Sequence, residues 1–311
     1  MTHISGLSNK HARSDLPLGV IWSGEELLPG AAEAIKSLRK QGNIAQLPFW
    51  EALPFLRLNT GKMIIFITNN STESRANFCR RFEKFGIPIH IDDVFTSAYI
   101  TAIYLSQVQQ PAPPRDEVFI LGSEGIENEL SAAGIRHFGG TDPAFQRNIT
   151  LEDFKDLAAS STLSSGVCAV VVGVDLQLNY LKLCQAVTYI RNGATFLATN
   201  TDATFPIFDT VFPAAGSVAA AVSRASDVQP LLMGKPGPYM MDAILARHGD
   251  LDRSRTCVVG DGIDTDIRFG VEQMLGTLLV LSGVSSRQDL ECTSTKYAPE
   301  AFVEQLADLV L

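Results

Sequence analysis

The sequence repeats one arrangement several times: a short, continuous run of β-branched and other apolar residues, followed by a helical pattern. The first examples are KMIIFITNNS (62–71) and EVFILGSEG (117–125). The arrangement returns at GVCAVVVGVD (166–175) and TCVVGDGIDT (256–265), and TLLVLSG (277–283) is the last run. Strands that are apolar throughout and alternate with helices indicate a parallel sheet covered on both faces. The sequence therefore predicts an α/β fold.

Polar residues follow two of the predicted strands directly: Thr68, Asn69 and Asn70 after the first, and Asp261, Asp264 and Asp266 after the fourth. In open parallel sheets, ligands bind beyond the carboxyl ends of the strands. We therefore expect these side chains to gather at one edge of the sheet and to form a site there.

The segment GDGIDTD (260–266) offers three carboxylates within six residues. Magnesium takes one or two protein carboxylates and completes its octahedron with water and substrate phosphate, so this loop is a candidate Mg²⁺ site. The alternative is a solvated acidic loop, in which Asp266 is the N-cap of a helix that begins near Ile267.

The segment ITNNST (67–72) lies between a predicted strand and a predicted helix. Thr68, together with backbone amides at the helix start, can hold a phosphoryl oxygen, because helix N-termini favour anions. The alternative is an ordinary helix start with Ser71 or Thr72 as the N-cap and Glu73 in the first turn.

Lys235 lies in a Gly-Lys-Pro turn ahead of a helical pattern. A lysine held in such a turn can neutralise the charge of a phosphoryl group. The alternative is a lysine that is merely solvated.

Composition limits the partners. The net charge is −9 and the isoelectric point is about 5.1, so there is no basic excess with which to bind nucleic acid. A small anionic ligand remains compatible with this composition, because a few hydrogen-bond donors at a site outweigh the net charge.

The five cysteines form no CxxC pair, the N-terminus has no apolar signal region, and no apolar run is long enough to cross a bilayer. We expect a reduced cytoplasmic protein with no membrane partner.

The middle of the chain has its own alternation of strands and helices, and the Pro-rich stretch QQPAPPRDE (109–117) marks a crossing point. These features predict a domain inserted into another one. The predicted bounds are 14–109 for the first part of the core, 110–212 for the insertion and 213–311 for the second part of the core.

Taken in order, the motifs resemble those of the haloacid dehalogenase superfamily of phosphatases. The resemblance is carried by GVIWSGEELLPGAAEAIKSLR (19–39), FITNNSTESR (66–75), MGKPGPYM (233–240) and VVGDGIDTDI (258–267), and by ATNTDATFP (198–206) in the middle segment. The closest match is the type IIA branch of p-nitrophenyl, phosphoglycolate and pyridoxal phosphatases. It implies a Rossmann-like core with a parallel sheet and a large inserted α/β cap domain.

The resemblance also implies roles for individual residues, and it implies Mg²⁺ as the cofactor. Thr68 and Asn69, with the neighbouring Asn70, would bind phosphoryl oxygens. Lys235 would steady the nucleophile and the phosphate. Asp261 would ligate Mg²⁺, and Asp266 would support the metal shell. From the cap, Asn200 and Asp202 would face the substrate.

One part of the family pattern is missing. The first motif is DxDG on a buried strand: its first Asp attacks phosphorus, and its second protonates the leaving alcohol and then activates water. Aligned on Gly19, these two positions hold Leu16 and Leu18. Asp15 is one residue out of register, which on a strand points its side chain to the opposite face. The preceding NKHARSD is too polar for a buried strand, so we expect the chain to lack the strand as well as the acids.

A second departure is the stretch NIAQLPFWEALPFLRLNT (43–60), where the family passes directly from helix to strand. One interpretation is a lid or a partner-docking insertion, since exposed apolar patches mark interfaces. The other is an error in the gene model. From within the codon of Gly42 to within the codon of Gly61 there are 19 codons, about 57 nucleotides. The codons at the two ends can contain splice-site-like sequence. Because 57 is divisible by three, a retained intron of this length would keep the reading frame. A missed exon would then also explain Leu16 and Leu18.

Two functions follow as hypotheses. The first is a Mg²⁺-dependent hydrolase of small phosphorylated metabolites, with this chain impaired as a catalyst because it lacks both acids. The second is a pseudophosphatase that binds a phosphate ligand or regulates a partner. The resemblance also implies a homodimer, formed through the cap.

Overall fold

The computed structural model describes residues 20–23, 26–40, 63–161, 163–207, 210–249 and 251–310. Its strands are β1 Trp22–Ser23, β2 Glu26–Leu27, β3 Phe66–Thr68, β4 Val94–Thr96, β5 Glu117–Leu121, β6 Arg136–Gly139, β7 Val167–Val172, β8 Thr195–Ala198, β9 Thr204–Ile207, β10 Thr210–Pro213, β11 Leu231–Leu232, β12 Cys257–Gly260, β13 Gly276–Val280 and β14 Ala301–Val303. Its α-helices are α1 Ala31–Lys40, α2 Arg75–Lys84, α3 Ser97–Ile103, α4 Glu124–Ala132, α5 Leu151–Ala159, α6 Tyr180–Arg191, α7 Ala215–Ser226, α8 Tyr239–His248, α9 Arg268–Glu272 and α10 Arg287–Cys292. The prediction of an α/β fold is confirmed.

The larger sheets are parallel, as the apolar runs predict. Five strands in the order β11-β8-β7-β5-β6 form one sheet, and β12, β13 and β14 form another. All six residues of β7 are buried, which requires cover on both of its faces. β1 and β2 form an antiparallel hairpin, and so do β9 and β10.

The sheet that carries the predicted site is in two pieces within the described residues. β3 pairs in parallel with β4, and β12 pairs in parallel with β13. In this part of the chain no strand pairing joins β3 to β12. The two positions that hold Leu16 and Leu18, and the stretch 43–60, lie outside the described residues.

The five-stranded sheet is made mostly from the segment predicted to be the cap. It extends past the predicted boundary at residue 212, because β11, at residues 231–232, pairs with β8. Helix α7 belongs to the same layer: Val218, Ala219 and Val222 pack into the apolar cluster that holds Val170 of β7. The layer formed by this sheet therefore includes residues after 212, and the predicted domain bounds stay a prediction.

One apolar core connects the two layers. Phe95 of β4, Ile120 of β5, Val171 of β7, Met240 of α8 and Val258 of β12 belong to a single cluster of buried side chains. Each large apolar side chain of this kind contributes about 1.5–3 kcal/mol when it is fully buried. The cluster thus fixes the carboxyl ends of β3 and β12 beneath the loops that follow β8 and β11.

No helix within the described ranges is long and apolar enough to cross a membrane.

Candidate functional site

Lys235 is the centre of the site. The turn that follows β11 buries it to 7% exposure. Its Nζ lies 2.5 Å from Oδ1 of Asp266 and 3.5 Å from the carbonyl oxygen of Ile67, at the end of β3. The lysine therefore spans the carboxyl ends of β3 and β12, and it is not the solvated lysine of the alternative interpretation.

Asn69 holds Lys235 in place. The backbone N–H of Lys235 donates to Oδ1 of Asn69 over 2.7 Å, and Nδ2 of Asn69 donates to the carbonyl oxygen of Lys235 over 3.0 Å. A Cβ at Gly234 would lie 2.5 Å from that Oδ1, so the close approach of the turn requires glycine there. In this structure the side-chain amide of Asn69 is bonded to the protein, and the expectation that Asn69 binds a phosphoryl oxygen stays a prediction.

The loop after β8 meets the same asparagine. Nδ2 of Asn69 also donates to Oδ2 of Asp202 over 3.2 Å, and Nδ2 of Asn200 donates to the carbonyl oxygen of Asn69 over 2.8 Å. Oδ1 of Asn200 accepts from the N–H of Asp202 over 3.0 Å. Asn200 is only 5% exposed. Its amide thus shapes the loop, and the expectation that Asn200 faces the substrate stays a prediction.

Asp202 is close enough to the charged centre for Lys235 and Asp266 to affect its carboxyl group. Burial raises the pKa of its carboxyl group, and the hydrogen bond from Asn69 and the charge of Lys235 oppose that shift. The loop that carries Asp202 lies against Asn69, so this loop and the turn of Lys235 both contact the side chain of Asn69.

Thr68 and Asn70 shape the chain after β3. Oγ1 of Thr68 accepts from the N–H of Asn70 over 3.1 Å, and Oδ1 of Asn70 accepts from both the N–H and the hydroxyl of Thr72 at 2.8 Å. The hydroxyl proton of Thr68 can still be donated to a ligand. The N-cap of α2 is Ser74, which accepts from Asn77, so the expectation of Ser71 or Thr72 as the cap is wrong.

The two carboxylates after β12 differ in their surroundings. Asp266 accepts from Lys235 through Oδ1 and from the N–H of Gly262 through Oδ2, over 3.1 Å. It lies inside a π-helical turn over Ile263–Ile267, so the alternative that it caps a helix near Ile267 is wrong. Asp264, in the same turn, is exposed.

Asp261 is held from the opposite side. Its Oδ2 accepts from the N–H of Val284 over 3.0 Å, and a Cβ at Gly283 would lie 2.0 Å from that oxygen. Burial, followed by repulsion from Asp266, raises the pKa of Asp261 to about 6. The ammonium of Lys235 bonds Asp266 and acts on the half-buried Asp261 only through its charge, so a cation bound there would offset the excess negative charge.

The donor set fits Mg²⁺ in chemical type. Asp261 and Asp266 supply hard carboxylate oxygens, and Mg²⁺ is usually held by one or two carboxylates with water and phosphate. Over the ranges that the structure describes, no group of three or more His, Cys, Asp or Glu side chains is placed to hold a metal. Asp261 and Asp266 are two carboxylates that follow β12 and whose charges interact.

One positioning residue was missed by the sequence analysis. Ser97 donates from Oγ to the carbonyl oxygen of Asn69 over 2.7 Å, at the start of α3. It directly follows β4, the parallel neighbour of β3. Thr68 was selected because ligands bind beyond the carboxyl ends of parallel strands. Ser97 meets the same criterion.

Parallel strands, an aspartate pair and a buried lysine at one sheet edge, beneath a second α/β layer, define a capped phosphoryl-transfer type of site. Two family descriptions match the chain: "Haloacid dehalogenase-like hydrolase" over residues 17–136 and "HAD-hyrolase-like" over residues 232–309. The chain belongs to the haloacid dehalogenase-like hydrolases, in the type IIA branch of phosphatases. The first match begins at Pro17, after Leu16.

Three similar proteins place the chain among phosphatases. It is 35% identical to a 4-nitrophenylphosphatase of Schizosaccharomyces pombe over 94% of this chain and 90% of that protein. It is 34% identical to the chloroplastic phosphoglycolate phosphatase 1A of Arabidopsis thaliana, over 94% and 74%. The crystal structure of a glycerol phosphate phosphatase from Mycobacterium tuberculosis, in complex with magnesium, matches with a TM-score of 0.69 at 28% identity, over 93% and 73%.

Proposed function

We propose that the site is built for Mg²⁺-dependent hydrolysis of small phosphomonoesters, and that this chain is impaired in that reaction because Leu16 and Leu18 occupy the positions of the two acids. The observation that carries the proposal is the position of Lys235, whose ammonium lies between the end of β3 and Asp266. Preorganised charge at such a position stabilises a phosphoryl group without reorganisation during the reaction.

Each described residue has a defined task in this proposal. Lys235 and the hydroxyl of Thr68 bind phosphoryl oxygens, and Asp261 and Asp266 hold the metal. Bound Mg²⁺ supplies Lewis-acid neutralisation of the phosphate charge. Asn69, although expected to bind a phosphoryl oxygen itself, holds the backbone of Lys235. Asn70 orders the loop, and its N–H is already donated to Thr68.

The missing step is covalent. In the family mechanism, an aspartate oxygen forms a bond to phosphorus while the alcohol leaves, and a second acid gives that alcohol its proton. A leucine side chain has neither a lone pair nor an exchangeable proton. Leu16 and Leu18 therefore cannot take over either task.

The cap limits the substrate class. Asp202 reaches Asn69 from the loop after β8, so the space above the charged centre is bounded by the cap. Small metabolites such as phosphoglycolate, glycerol phosphate or pyridoxal phosphate suit such a site, and two of these are named for the phosphatases similar to this chain. We place the reaction in the cytoplasm, on the composition and cysteine usage of the chain.

The same geometry supports a second function. Lys235, Asp261 and Asp266 keep their arrangement in a chain that lacks the acids, which suits a pseudophosphatase that binds phosphate without cleaving its ester. Titration calorimetry with inorganic phosphate and Mg²⁺ separates the two functions when it is combined with a hydrolysis assay. A binding protein gives saturable phosphate binding and no turnover.

Homodimer formation is also proposed. Apolar side chains are exposed near the start of α5 and in the segment leading into α6: Leu151, Phe154, Leu176, Leu178 and Tyr180. The rings of Phe154 and Tyr180 lie 6.2 Å apart, so these two segments are neighbours. Light scattering after size exclusion tests the proposal, with Leu176→Asp expected to shift the protein to the monomer.

The experiment that tests the hydrolase proposal is turnover of p-nitrophenyl phosphate with Mg²⁺. The unaltered chain is expected to give no turnover above a Lys235→Met control. A variant with residues 15–19 replaced by Phe-Asp-Cys-Asp-Gly and residues 43–60 deleted is expected to hydrolyse the ester. A restored variant that binds Mg²⁺ and phosphate but does not hydrolyse would contradict the proposal.

A further inference from the structure

Helix α2 begins at a carboxylate that belongs to another helix. Oε1 of Glu129, from α4, accepts from the N–H of Arg75 over 2.7 Å, and Oε2 accepts from Nε of the same residue over 3.2 Å. Arg75 is the first residue of α2, and the N–H of Asn77 in the same turn donates to Oγ of Ser74. Helix N-termini favour anions. At the start of α2, the anion is therefore a side chain of the protein.

The charge of Glu129 is buried and matched. Glu129 is only 4% exposed, and Nε of Arg75 forms an ion pair with it. The guanidinium of Arg75 also lies over the ring of Tyr99 in α3, with Cζ 3.2 Å from the ring centroid. Buried carboxylates are stable only when they are paired and hydrogen-bonded. Because Glu129 meets that requirement through Arg75, the start of α2 is fixed against α3 and α4.

The same face of α4 contacts the chain ahead of α2. Gly125 lies four residues before Glu129, which places the two residues on one face of the helix. The N–H of Gly125 donates to the carbonyl oxygen of Thr72 over 3.2 Å, and a Cβ at Gly125 would lie 2.5 Å from the carbonyl oxygen of Ser71. Because position 125 has no side chain, α4 lies in direct contact with this part of the chain.

Hydrogen bonds connect this contact to Thr68. Oδ1 of Asn70 accepts from the N–H and from the hydroxyl of Thr72, both over 2.8 Å. The N–H of Asn70 donates to Oγ1 of Thr68 over 3.1 Å. Residues 68–75 are therefore held by a series of contacts that ends at Glu129.

We propose that Glu129 is a positioning residue: by bonding the start of α2, it fixes residues 68–75 and holds Thr68 in place for a phosphoryl oxygen beside Lys235. Nζ of Lys235 lies 3.5 Å from the carbonyl oxygen of Ile67, the residue before Thr68. The inference rests on the proposed function, in which Thr68 and Lys235 bind phosphate. Helix α4 then contributes to phosphate binding through Thr68, and the start of α2 binds Glu129 rather than phosphate.

The first test is amide hydrogen exchange of the full chain, measured residue by residue by NMR. Glu129→Gln removes the charge and leaves one acceptor atom in place of two, so at least one of the two bonds is lost. The N–H groups of Asn70 and Thr72 are expected to exchange about tenfold faster or more in this variant, because local opening of the segment becomes easier. Faster exchange at Arg75 alone would be the local loss of one bond and would contradict the positioning role.

Glu127→Gln is the matched control. Glu127 also lies in α4, and its carboxylate accepts from the N–H of Thr141 over 2.5 Å and from the hydroxyl of Thr141 over 2.7 Å. The substitution therefore changes the same helix by the same chemistry, but it affects the loop after β6. Exchange at Asn70 and Thr72 is expected to stay within about twofold of the unaltered chain.

Chemical rescue tests whether an anion at the start of α2 positions the segment. Glu129→Ala removes Cγ, Cδ and both carboxylate oxygens, and acetate has the same heavy atoms. Sodium acetate is expected to slow the exchange of Asn70 and Thr72 in this variant and to raise its melting temperature, relative to sodium chloride at equal ionic strength. The unaltered chain is expected to respond equally to the two salts. Equal responses of the folded Glu129→Ala protein would overturn the proposal, and Glu129→Gln keeps it testable if Glu129→Ala does not fold.

Calorimetry with inorganic phosphate and Mg²⁺ connects the segment to the ligand. The affinity for phosphate is expected to fall about tenfold or more in Glu129→Gln and to stay within about twofold of the unaltered chain in Glu127→Gln. No phosphate binding by the unaltered chain, together with the expected exchange and rescue, would contradict the proposed function, whereas the anchoring of residues 68–75 by Glu129 would stand. Unchanged exchange at Asn70 and Thr72, or unchanged phosphate affinity in the folded Glu129→Gln protein, would overturn the positioning role.

Discussion

The side chain of Asn69 and the main chain of Lys235 form two hydrogen bonds in opposite directions. Lys235 N–H donates to Oδ1 over 2.7 Å, and Nδ2 donates to the carbonyl oxygen of Lys235 over 3.0 Å. An amide side chain can both donate and accept in this way, whereas a carboxylate only accepts. Asn69 is therefore the connection between the loop after β3 and the turn that carries the buried lysine.

Asn69→Asp is expected to weaken this connection. It removes both hydrogen bonds that Nδ2 donates, and it sets a second carboxylate against Asp202. We expect a loss of about 1–3 kcal/mol in the free energy of unfolding, measured by urea denaturation, and weaker binding of phosphate in the presence of Mg²⁺. Asn148→Asp, at an exposed position, is the control and is expected to change stability by less than about 0.5 kcal/mol. Unchanged stability of Asn69→Asp would contradict this role.

Lys235→Met is expected to be strongly destabilising. It leaves Asp266 without its ammonium partner in a buried site and adds to the repulsion from Asp261. Breaking a buried ion pair by removing one partner costs about 3–5 kcal/mol. Lys155→Met, in an exposed pair with Glu152, is the matched control and is expected to cost at most about 1 kcal/mol. Equal losses for the two variants, measured by chemical denaturation, would show that Lys235 does not neutralise this site.

Gly283→Ala is expected to weaken Mg²⁺ binding. The new Cβ would lie 2.0 Å from Oδ2 of Asp261 and would displace that carboxylate. Changes in groups that orient metal ligands cost about 10- to 100-fold in metal affinity, which calorimetry with Mg²⁺ and phosphate measures. Val284→Ala keeps the backbone donor to Asp261 and serves as the control. Identical affinities for Gly283→Ala and the unaltered chain would argue against Asp261 as a ligand.

The gene-model hypothesis predicts a specific transcript. Reverse transcription and sequencing across codons 1–62 are expected to show a shorter message that lacks the stretch encoding 43–60 and that encodes an acidic motif ahead of Gly19. A message that encodes the present sequence throughout would instead favour a genuine insertion and a genuine loss of the acids.

The sequence predicts the fold well because its strands are apolar on both faces and its helices alternate with them. The rule for the carboxyl ends of parallel strands predicts that Thr68 and Asp266 lie at one edge of the sheet, and in the structure Lys235 contacts both Asp266 and Ile67, the neighbour of Thr68. It did not predict which polar groups bond to one another. The side-chain amides of Asn69 and Asn200 donate hydrogen bonds to loops more than 100 residues away in sequence, and no local sequence pattern predicts such pairings.

The pairing of β11 with the five-stranded sheet could not be predicted from the sequence pattern either. The two-residue strand β11 pairs with β8, although helix α7 lies between them in the sequence. A strand of two residues is too short to show a hydrophobic periodicity. The predicted bounds of 14–109, 110–212 and 213–311 stay a prediction.

The measurement that tests the account most directly compares three proteins in one assay of p-nitrophenyl phosphate with Mg²⁺. They are the unaltered chain, the variant that carries Phe-Asp-Cys-Asp-Gly at 15–19 without residues 43–60, and its carboxamide counterpart with Phe-Asn-Cys-Asn-Gly. We predict turnover by the aspartate variant alone, because strand and acids must both be present. Turnover by the unaltered chain at the rate of the aspartate variant would contradict the account.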